Sequence, residues 1–321
     1  MEVSVSSSRT RAGVWLTVGS GLAFASSGPL AKSVLAVGWS PGAVLAIRLS
    51  GAAAIMLTLA ALSDPSGLRG SLRHLRTVGG FGVIAVAGVQ ASFFLSLPYL
   101  QVGVTLMIQF LAPIAVIAWN WAVRARRPSG ATLLGAAIAL AGAALVIDIF
   151  GADGISLIGL GWAAVSMLCN AVFFLLSERT SDSLSPVVLL GSGLSVAAGT
   201  AWALGLTGLL PVLFGDADTA LAEHHLPVWL SLTLLVTIST VVAYVCGVAG
   251  AARIGSTLMS LILLSEVLFA VVLSWLLLDE SVAPVQMIGG VLVVGGIALA
   301  RSGAEHRTHR PVEAAAQSAA T

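Results

Sequence analysis

The chain has 321 residues and a formal net charge of +1, and only 9% of its residues are charged, against roughly 25% in a soluble globular domain. Apolar residues make up 58% of the sequence, and the mean hydropathy is +1.02. This composition leaves too little polar surface for a water-soluble globule, which excludes most soluble enzymes. The near-neutral charge provides no basic surface, so no nucleic-acid partner is expected.

Ten apolar stretches follow one another along the chain, each close to the length of about 20 residues that crosses a hydrocarbon core of about 30 Å. Because a backbone in lipid must satisfy its own hydrogen bonds, runs of this length can only be helices. The sequence therefore predicts an all-α, polytopic membrane protein with ten transmembrane helices in the lipid bilayer. We number the stretches span one to span ten: 13–36, 41–61, 77–98, 101–122, 130–149, 155–177, 185–210, 227–250, 255–277 and 282–300.

The basic residues predict the orientation of these spans. If the N-terminus is cytoplasmic, 13 of the 15 Lys and Arg lie in the N-terminal segment, the inner loops or the C-terminal tail, and the other two, Lys32 and Arg48, lie within spans. By the positive-inside rule, this asymmetry predicts a multi-pass protein of the cell (plasma) membrane with both termini in the cytoplasm. A signal peptide is the alternative for the first span, since Ala23-Phe24-Ala25 resembles a cleavage site, but the apolar run continues beyond it.

The two halves of the chain resemble each other, which predicts an internal duplication. Gly103-Val104-Thr105-Leu106-Met107 recurs 152 residues later as Gly255-Ser256-Thr257-Leu258-Met259. A pair of glycines seven residues apart also recurs, as Gly135 with Gly142 and as Gly289 with Gly296. Seven residues are close to two helical turns, so each pair lies on one helix face that a neighbouring helix can approach, either within one chain or across a homodimer.

Five spans per half is an odd number, so the second half must cross the membrane in the opposite sense to the first. The predicted fold is therefore two inverted five-helix repeats, an arrangement that encloses a midplane binding site in secondary transporters. The predicted divisions of the chain are a cytoplasmic N-terminal segment, the two repeats and a disordered cytoplasmic tail: 1–12, 13–150, 151–300 and 301–321.

Three ionisable residues lie at membrane depth: Glu266 near the middle of span nine, and Lys32 and Arg48 in the outer halves of spans one and two. A charge at this depth costs about 2.5–3.5 kcal/mol, so such residues usually face an interior or a water-filled cavity. We expect Glu266 to bind substrate and exchange protons, with a structural pairing to one of the cations as the alternative. Lys32 and Arg48 are assigned to coupling or gating. The alternatives are snorkelling to the outer interface for Lys32 and bonding between helices for Arg48.

Uncharged polar and aromatic residues recur at helical spacing in several spans, which predicts the lining of a central polar cavity. Thr105, Gln109 and Pro113 share one face of span four, and Pro113 also removes a backbone hydrogen bond and can kink that helix. Comparable stripes occur in spans three, six and eight: Gln90 with Phe93, Trp162 with Asn170, and Thr233, Thr237 and Thr240 with Tyr244. The predicted substrate contacts are Glu266, Gln109, Asn170, Gln90, Tyr244, Phe93 and Trp162, and the predicted coupling or gating residues are Glu266, Lys32, Arg48 and Pro113.

Several segments form a recognisable pattern: Phe24-Ala25-Ser26-Ser27-Gly28-Pro29-Leu30-Ala31-Lys32, Gly38-Trp39-Ser40-Pro41-Gly42-Ala43, Phe110-Leu111-Ala112-Pro113, Glu266-Val267-Leu268-Phe269-Ala270 and Pro284-Val285-Gln286-Met287-Ile288-Gly289-Gly290. On these residues the chain resembles the EamA-like branch of the drug/metabolite transporter superfamily, over nearly all of residues 12–300. The resemblance implies ten helices in two inverted repeats and the export of small metabolites, often amino acids. Many similar proteins have a glutamate where this chain has Gln109, whose amide cannot exchange a proton. This leaves Glu266 as the main candidate for coupling.

The sequence thus predicts a secondary transporter that exports a small polar metabolite, an amino acid or a related compound, by alternating access. A passive channel or a membrane scaffold is the alternative. An enzyme is not expected, because all five histidines lie in loops or the tail and no pair of aspartates lies near mid-span. No phosphate-binding Gly-x-x-x-x-Gly-Lys loop occurs and Lys32 is the only lysine, so ATP-driven transport by this chain alone is not expected. No cofactor is expected either. Glu223-His224-His225 reads as a polar outer loop rather than a metal site.

Overall fold

The computed structural model describes residues 2–124, 128–146, 156–180, 184–221, 224–263, 265–280 and 283–300. The predicted cytoplasmic tail, residues 301–321, and the predicted boundary between the two repeats at residue 150 lie outside these ranges.

In the first half, the described residues are almost entirely helical. A 3-10 turn (Leu72–His74) precedes α5, and a π-helical segment (Phe81–Gly88) joins α5 to α6. The α-helices are α1 (Glu2–Ala25), α2 (Ser27–Ala36), α3 (Pro41–Ser63), α4 (Pro65–Ser71), α5 (Leu75–Gly80), α6 (Val89–Ser96), α7 (Val102–Gln109), α8 (Ala112–Arg124) and α9 (Gly130–Val146).

The second half adds a small antiparallel hairpin to its helices, and a second π-helical segment (Thr237–Val242) joins α12 to α13. The elements are α10 (Leu157–Thr180), α11 (Pro186–Leu206), β1 (Thr219–Leu221), β2 (His224–Leu226), α12 (Val228–Val236), α13 (Ala243–Ile262), α14 (Ser265–Leu278) and α15 (Pro284–Ala300).

Five helical segments among the described residues are long and apolar enough to cross a membrane: Pro41–Ser63, Pro65–Ser96, Val102–Val123, Pro186–Leu206 and Val228–Ile254. Shorter apolar helices are Gly130–Leu145, Leu157–Phe173, Ser265–Leu278 and Pro284–Ala300. With α1 and α2, which cover span one, these segments follow the order of the predicted spans. The architecture fits a polytopic, all-α membrane protein.

Asp64 fixes the turn between α3 and α4. Its carboxylate accepts hydrogen bonds from the Gly67 N–H at 2.8 Å, from the Ser66 hydroxyl at 3.1 Å and from the Ser185 hydroxyl at 3.1 Å. These bonds, with the backbone N–H of Gly67 contributing most, hold the pKa of the Asp64 carboxyl below its usual value. Since Ser185 directly precedes α11, Asp64 ties the start of α4 to the start of α11.

α3 and α11, which occupy equivalent places in the two halves, run side by side in opposite directions. The Trp202 indole on α11 donates to Ser50 Oγ on α3 at 2.9 Å. Gly191, nearer the start of α11, lies against Met56, nearer the end of α3, where an added Cβ would meet the Met56 carbonyl oxygen at 3.1 Å. The two helices are therefore antiparallel, as an inverted repeat requires.

α9 and α15 show the same antiparallel relation, and their glycines form the contact. A Cβ added at Gly135 would lie 2.6 Å from the carbonyl oxygen of Gly296, and one added at Gly142 would lie 2.6 Å from that of Gly289. The prediction that both glycine pairs line faces of close approach is confirmed. Because this contact is made within one chain, it occupies the glycine faces for which a homodimer was the alternative.

The chain reverses direction inside α13. A straight helix of 20 residues is about 30 Å long, yet two neighbouring residues of α1 contact both ends of α13. Ser20 Oγ donates to the Ala243 carbonyl at 2.7 Å, and a Cβ added at Gly21 would lie 3.7 Å from Leu263. The reversal therefore separates span eight from span nine, in agreement with the predicted order.

The segment between α11 and α12 covers one end of the molecule, and the sequence did not predict its hairpin. The Trp39 indole donates to the Gly215 carbonyl at 2.9 Å, and Ser40 Oγ donates to the Pro211 carbonyl at 2.6 Å. Because Trp39 and Ser40 join α2 to α3, this segment closes over the end at which spans one and two meet. Positive-inside counting assigns this end to the outer face.

Candidate functional site

Arg48 is the best-connected polar residue of the interior. It lies on α3, and 4% of it is exposed. Its Nε donates to Thr240 Oγ1 at 2.8 Å, Nη1 to Ser27 Oγ at 2.6 Å and Nη2 to the Ser239 carbonyl at 3.3 Å. The guanidinium carbon also lies 5.4 Å from the centre of the Phe94 ring, within cation–π distance. These contacts join α2, α3, α6 and span eight. Arg48 therefore bonds helices together, which was the alternative considered for it in the sequence analysis.

The π-helical segment Thr237–Val242 presents Ser239 and Thr240 to Arg48. Thr240 Oγ1 also donates to the Leu235 carbonyl, five residues earlier, at 2.8 Å. A π-helical turn holds one residue more than an α-helical turn, which rotates the following helix face. Thr233 is consequently exposed whereas Thr240 is buried. The prediction that Thr233 shares a face with Thr240 and Tyr244 is wrong for this reason.

Glu266 lies in the first turn of α14, and Tyr244 lies in the first turn of α13. Both are close enough to Arg48 to interact with it electrostatically. The Tyr244 hydroxyl interacts with the Gln90 amide, and its ring packs edge-to-face on Phe24 with the ring centres 5.0 Å apart. Gln90 Oε1 is buried without a hydrogen-bond partner among the described residues. A guanidinium, a carboxyl, a phenol and an amide thus lie together.

Gln109 lies beside this cluster, at a break in span four. Its Oε1 is 3.0 Å from Ser166 Oγ, which is also 3.0 Å from the Val89 carbonyl next to Gln90. The single Ser166 proton can serve only one of these acceptors at a time. α7 ends at Gln109, and Pro113 follows in the first turn of α8 without an N–H for the Gln109 carbonyl four residues earlier. The expected interruption of span four at Pro113 is therefore present.

Span nine shows the corresponding interruption, since α13 ends at Ile262 and α14 begins at Ser265, one residue before Glu266. Gln109 and Glu266 thus both lie at breaks in helices that the duplication relates. Discontinuous helices of this kind supply binding groups in many secondary transporters, because a break frees backbone groups and turns side chains inward.

Lys32 has another partner. Its Nζ lies 2.5 Å from Glu280 Oε1, just after α14, and also donates to the Leu100 carbonyl at 3.3 Å. Glu280 Oε2 accepts the Val102 N–H, at the start of α7, at 3.3 Å. Lys32 therefore pairs with Glu280 and not with Glu266, and an ion pair replaces the snorkelling considered for it.

The other predicted contacts are less closely tied to the cluster. Phe93 is buried and its ring centre lies 5.9 Å from that of Phe94. Asn170 is half-buried one helical turn beyond Ser166 on α10, so it shares a face with the partner of Gln109. Trp162 is 37% exposed, and the structure records no polar contact that links it to Arg48.

Sequence reasoning did not identify Ser27, Ser239 and Thr240 as the partners of Arg48. It also did not identify Glu280 as the partner of Lys32. Serine and threonine are common in transmembrane helices, where their hydroxyls usually bond to their own helix, so their types gave no signal. Glu280 falls where span nine ends, which made it look like a loop residue. Its pairing depends on Lys32, 248 positions away in the sequence.

The cluster has the chemistry of a small polar binding site. Arg48 can attract a negative group, Glu266 a positive group or a proton, and Gln90, Gln109 and Tyr244 offer hydrogen bonds of either polarity. Among the described residues, no group of three or more His, Cys, Asp or Glu lies close enough together to hold a metal ion.

The EamA-like transporter family matches two regions of the chain, residues 11–148 and 157–302. The chain belongs to this family. As an EamA-like transporter it is a multi-pass membrane protein that acts on a small molecule in a lipid bilayer, and its family consists of transporters rather than enzymes. Arg48 and Gln90 lie in the first matched region and Tyr244 and Glu266 in the second, so both regions contribute to the cluster.

Two further likenesses agree with this membership. The chain is 23% identical over 221 residues to the "Uncharacterized inner membrane transporter YicL" of Salmonella typhimurium, a match that covers 68% of this chain and 70% of the relative. A solved crystal structure shares the fold with a TM-score of 0.60 at 19% identity, covering 94% of this chain and 98% of the other.

Proposed function

We propose that this EamA-like protein is a secondary transporter that exports a small polar metabolite, an amino acid or a related compound, across the cell membrane by alternating access. The observation that carries the proposal is the Arg48–Tyr244–Glu266 cluster, which both matched regions build and which no loop or terminus contributes to. Binding sites of secondary transporters lie at such interfaces between repeats, where a small relative movement of the repeats changes which side is open.

The antiparallel packing of α3 with α11 and of α9 with α15 supports two inverted repeats of five spans each. The distribution of the basic residues supports both termini in the cytoplasm. In this arrangement Gln109, Asn170, Gln90, Tyr244, Phe93 and Trp162 are substrate contacts and Glu266 is the proton-exchanging group. Arg48 attracts the Glu266 carboxylate, and a proton or a positively charged substrate group competes with Arg48 for it.

Glu266→Gln tests the proposal, because the amide keeps the size of the side chain and removes the exchangeable proton. We expect export to fall by roughly tenfold or more at unchanged expression, since proton-transfer groups typically contribute that much or more. The measurement compares metabolites released into the medium by cells that overexpress the wild type or the variant.

Asp218→Asn, in the exposed segment before α12, is the matched control and should leave export unchanged. Full export by Glu266→Gln would remove Glu266 from the mechanism. Once a transported metabolite is known, saturable counterflow in proteoliposomes would support a carrier, and flux without saturation would support the passive channel instead.

A further inference from the structure

The ion pair of Lys32 with Glu280 ties together the ends of three spans. Lys32 lies near the end of α2, Glu280 follows α14, and the Glu280 carboxylate also accepts the N–H of Val102, the first residue of α7. Val102 N–H is one of the donors that a helix start leaves without a partner in its own helix. A single carboxylate therefore holds spans one, four and nine together at the end covered by the segment before α12.

Glu280 also lines a small cleft. Its lining is mostly apolar, with Val104, Met107 and Val271, and its polar side chains come from Gln101, Ser274, Glu280 and Gln286. The Glu280 N–H also bonds to the Ser274 carbonyl at 3.4 Å, so the two residues are immediate neighbours. Glu280 thus pairs with Lys32 and also lines a cleft that it shares with Ser274.

Ser274 supplies an unused hydrogen-bond donor in that cleft. The residue is 2% exposed, and its Oγ has no partner in the part of the chain that the structure describes. A buried hydroxyl without a partner is unfavourable. It becomes favourable in any state in which the neighbouring carboxylate accepts its proton.

We propose that Glu280 is a gating residue with two alternative sets of partners. In the closed arrangement it binds Lys32 and the Val102 N–H. In the open arrangement the carboxylate turns into the cleft and accepts from the Ser274 hydroxyl, while Lys32, which is partly exposed, is hydrated. Discrete alternative arrangements of this kind are what allow a packed structure to switch rather than deform.

This inference rests on the proposed alternating access, because spans one, four and nine line the proposed cavity and must separate at one end to open it. The two alternative partners of Glu280, Lys32 and Ser274, lead to opposite predictions. Removing Lys32 should favour the open arrangement, whereas removing the Ser274 hydroxyl should favour the closed one.

Thiol labelling measures the opening. In a background of Cys169→Ser and Cys246→Ser, Thr105→Cys places one thiol on α7, about one turn inside Val102, at a position that is buried in this structure. A membrane-impermeant maleimide is then added to right-side-out and, separately, to inside-out vesicles. The measured quantity is the rate of labelling from each side.

We expect Lys32→Gln and Glu280→Gln to raise the labelling rate from the outer side by about fivefold or more, the lower end of coupling between sites in proteins. Ser274→Ala, a small change that leaves the helix intact, should lower that rate below the wild-type value. Arg253→Gln, an exposed charge near the opposite end of the molecule, is the matched control and should change nothing.

Labelling that is insensitive to all three variants, or that moves in the same direction for Lys32→Gln and Ser274→Ala, would overturn the gating role of Glu280. Failure of the transporter proposal gives a different result. In a passive channel, Thr105→Cys in the Cys169→Ser, Cys246→Ser background, without any change at Lys32, Ser274 or Glu280, would be labelled from both sides at similar rates.

Discussion

Arg48 presents N–H groups from all three nitrogens of one rigid plane to Ser27, Thr240 and the Ser239 carbonyl. A guanidinium suits this position because its donors point in fixed, different directions and its flat face can lie on Phe94. A buried charge is tolerable only when it is hydrogen-bonded in this way. Arg48 also interacts electrostatically with Tyr244 and Glu266, so the residue that joins the helices contributes its charge to the proposed binding site.

Arg48→Lys is expected to destabilise the protein by about 1.5–3 kcal/mol, the usual value of a hydrogen bond to a buried charged group. Lysine keeps the charge, but its single ammonium cannot reach three partners that surround a planar fork. The measurement is the melting temperature of the purified wild type, Arg48→Lys and a control variant in detergent. Arg253→Lys is the control, because Arg253 is exposed and makes one bond to its own helix, and equal melting temperatures for all three proteins would contradict the role given to Arg48.

Two kinds of irregular helix bring polar groups together in this protein. π-Helical segments occur at Phe81–Gly88 and Thr237–Val242, in spans three and eight, and the second one carries the hydroxyls that bind Arg48. Breaks occur after Gln109 and after Ile262, in spans four and nine. Both irregularities recur in equivalent spans of the two halves, so they belong to the duplicated unit. Regular helices, in contrast, serve as the frame: α9 and α15 approach closely along their glycines.

Gly142→Ala tests whether the close packing of α9 on α15 stabilises the protein. The added Cβ would lie 2.6 Å from the Gly289 carbonyl oxygen and 2.7 Å from the Val293 backbone nitrogen. Because these are backbone atoms, α9 and α15 must move apart, and we expect a loss of about 1–3 kcal/mol of stability, as for other overpacked sites. The readout is the melting temperature in detergent.

Gly295→Ala, on α15, is the matched control, because an added Cβ there meets nothing within 4 Å. In a helix interior, alanine is favoured over glycine by up to about 1 kcal/mol, so this variant should be as stable as the wild type or slightly more so. If Gly142→Ala were equally well tolerated, the close approach of α9 and α15 would not be needed for stability.

Among the described residues, the most extensive helix packing joins one half of the chain to the other. α3 packs on α11, α9 on α15 and α1 on α13, and in each pair one helix comes from each family-matched region. The Arg48 cluster lies among these pairings, and the ion pair of Lys32 with Glu280 lies at one end of them. Movement of one half against the other would therefore act on the cluster and on the ion pair together.

Two inverted repeats of five spans predict that both termini lie on the same side of the membrane, and the positive-inside rule predicts that this side is the cytoplasm. Short epitope tags at each end should be protected from protease in right-side-out vesicles and cleaved in inside-out vesicles, because an even number of spans returns the chain to its starting side. A tag in the exposed segment before α12 should show the opposite pattern. Termini on opposite sides would exclude ten spans and with them the odd number per half.

The sequence by itself determined the helical membrane architecture and the duplication, and it predicted that Lys32, Arg48 and Glu266 lie within spans. Each of these follows from local quantities: hydropathy over about 20 residues, glycine spacing and the cost of a charge in lipid. The predicted break at Pro113 belongs here too, since a missing N–H acts on its own helix.

Only the tertiary structure decided which polar groups meet. It paired Lys32 with Glu280, gave Arg48 to Ser27 and Thr240, and turned Thr233 away from the face of Tyr244. The physical reason is that a hydrogen bond needs partners within about 3 Å, and that distance depends on how helices far apart in sequence rotate and tilt against each other. One extra residue in a π-helical turn is enough to change such a rotation, and nothing in the periodicity of the sequence reveals it.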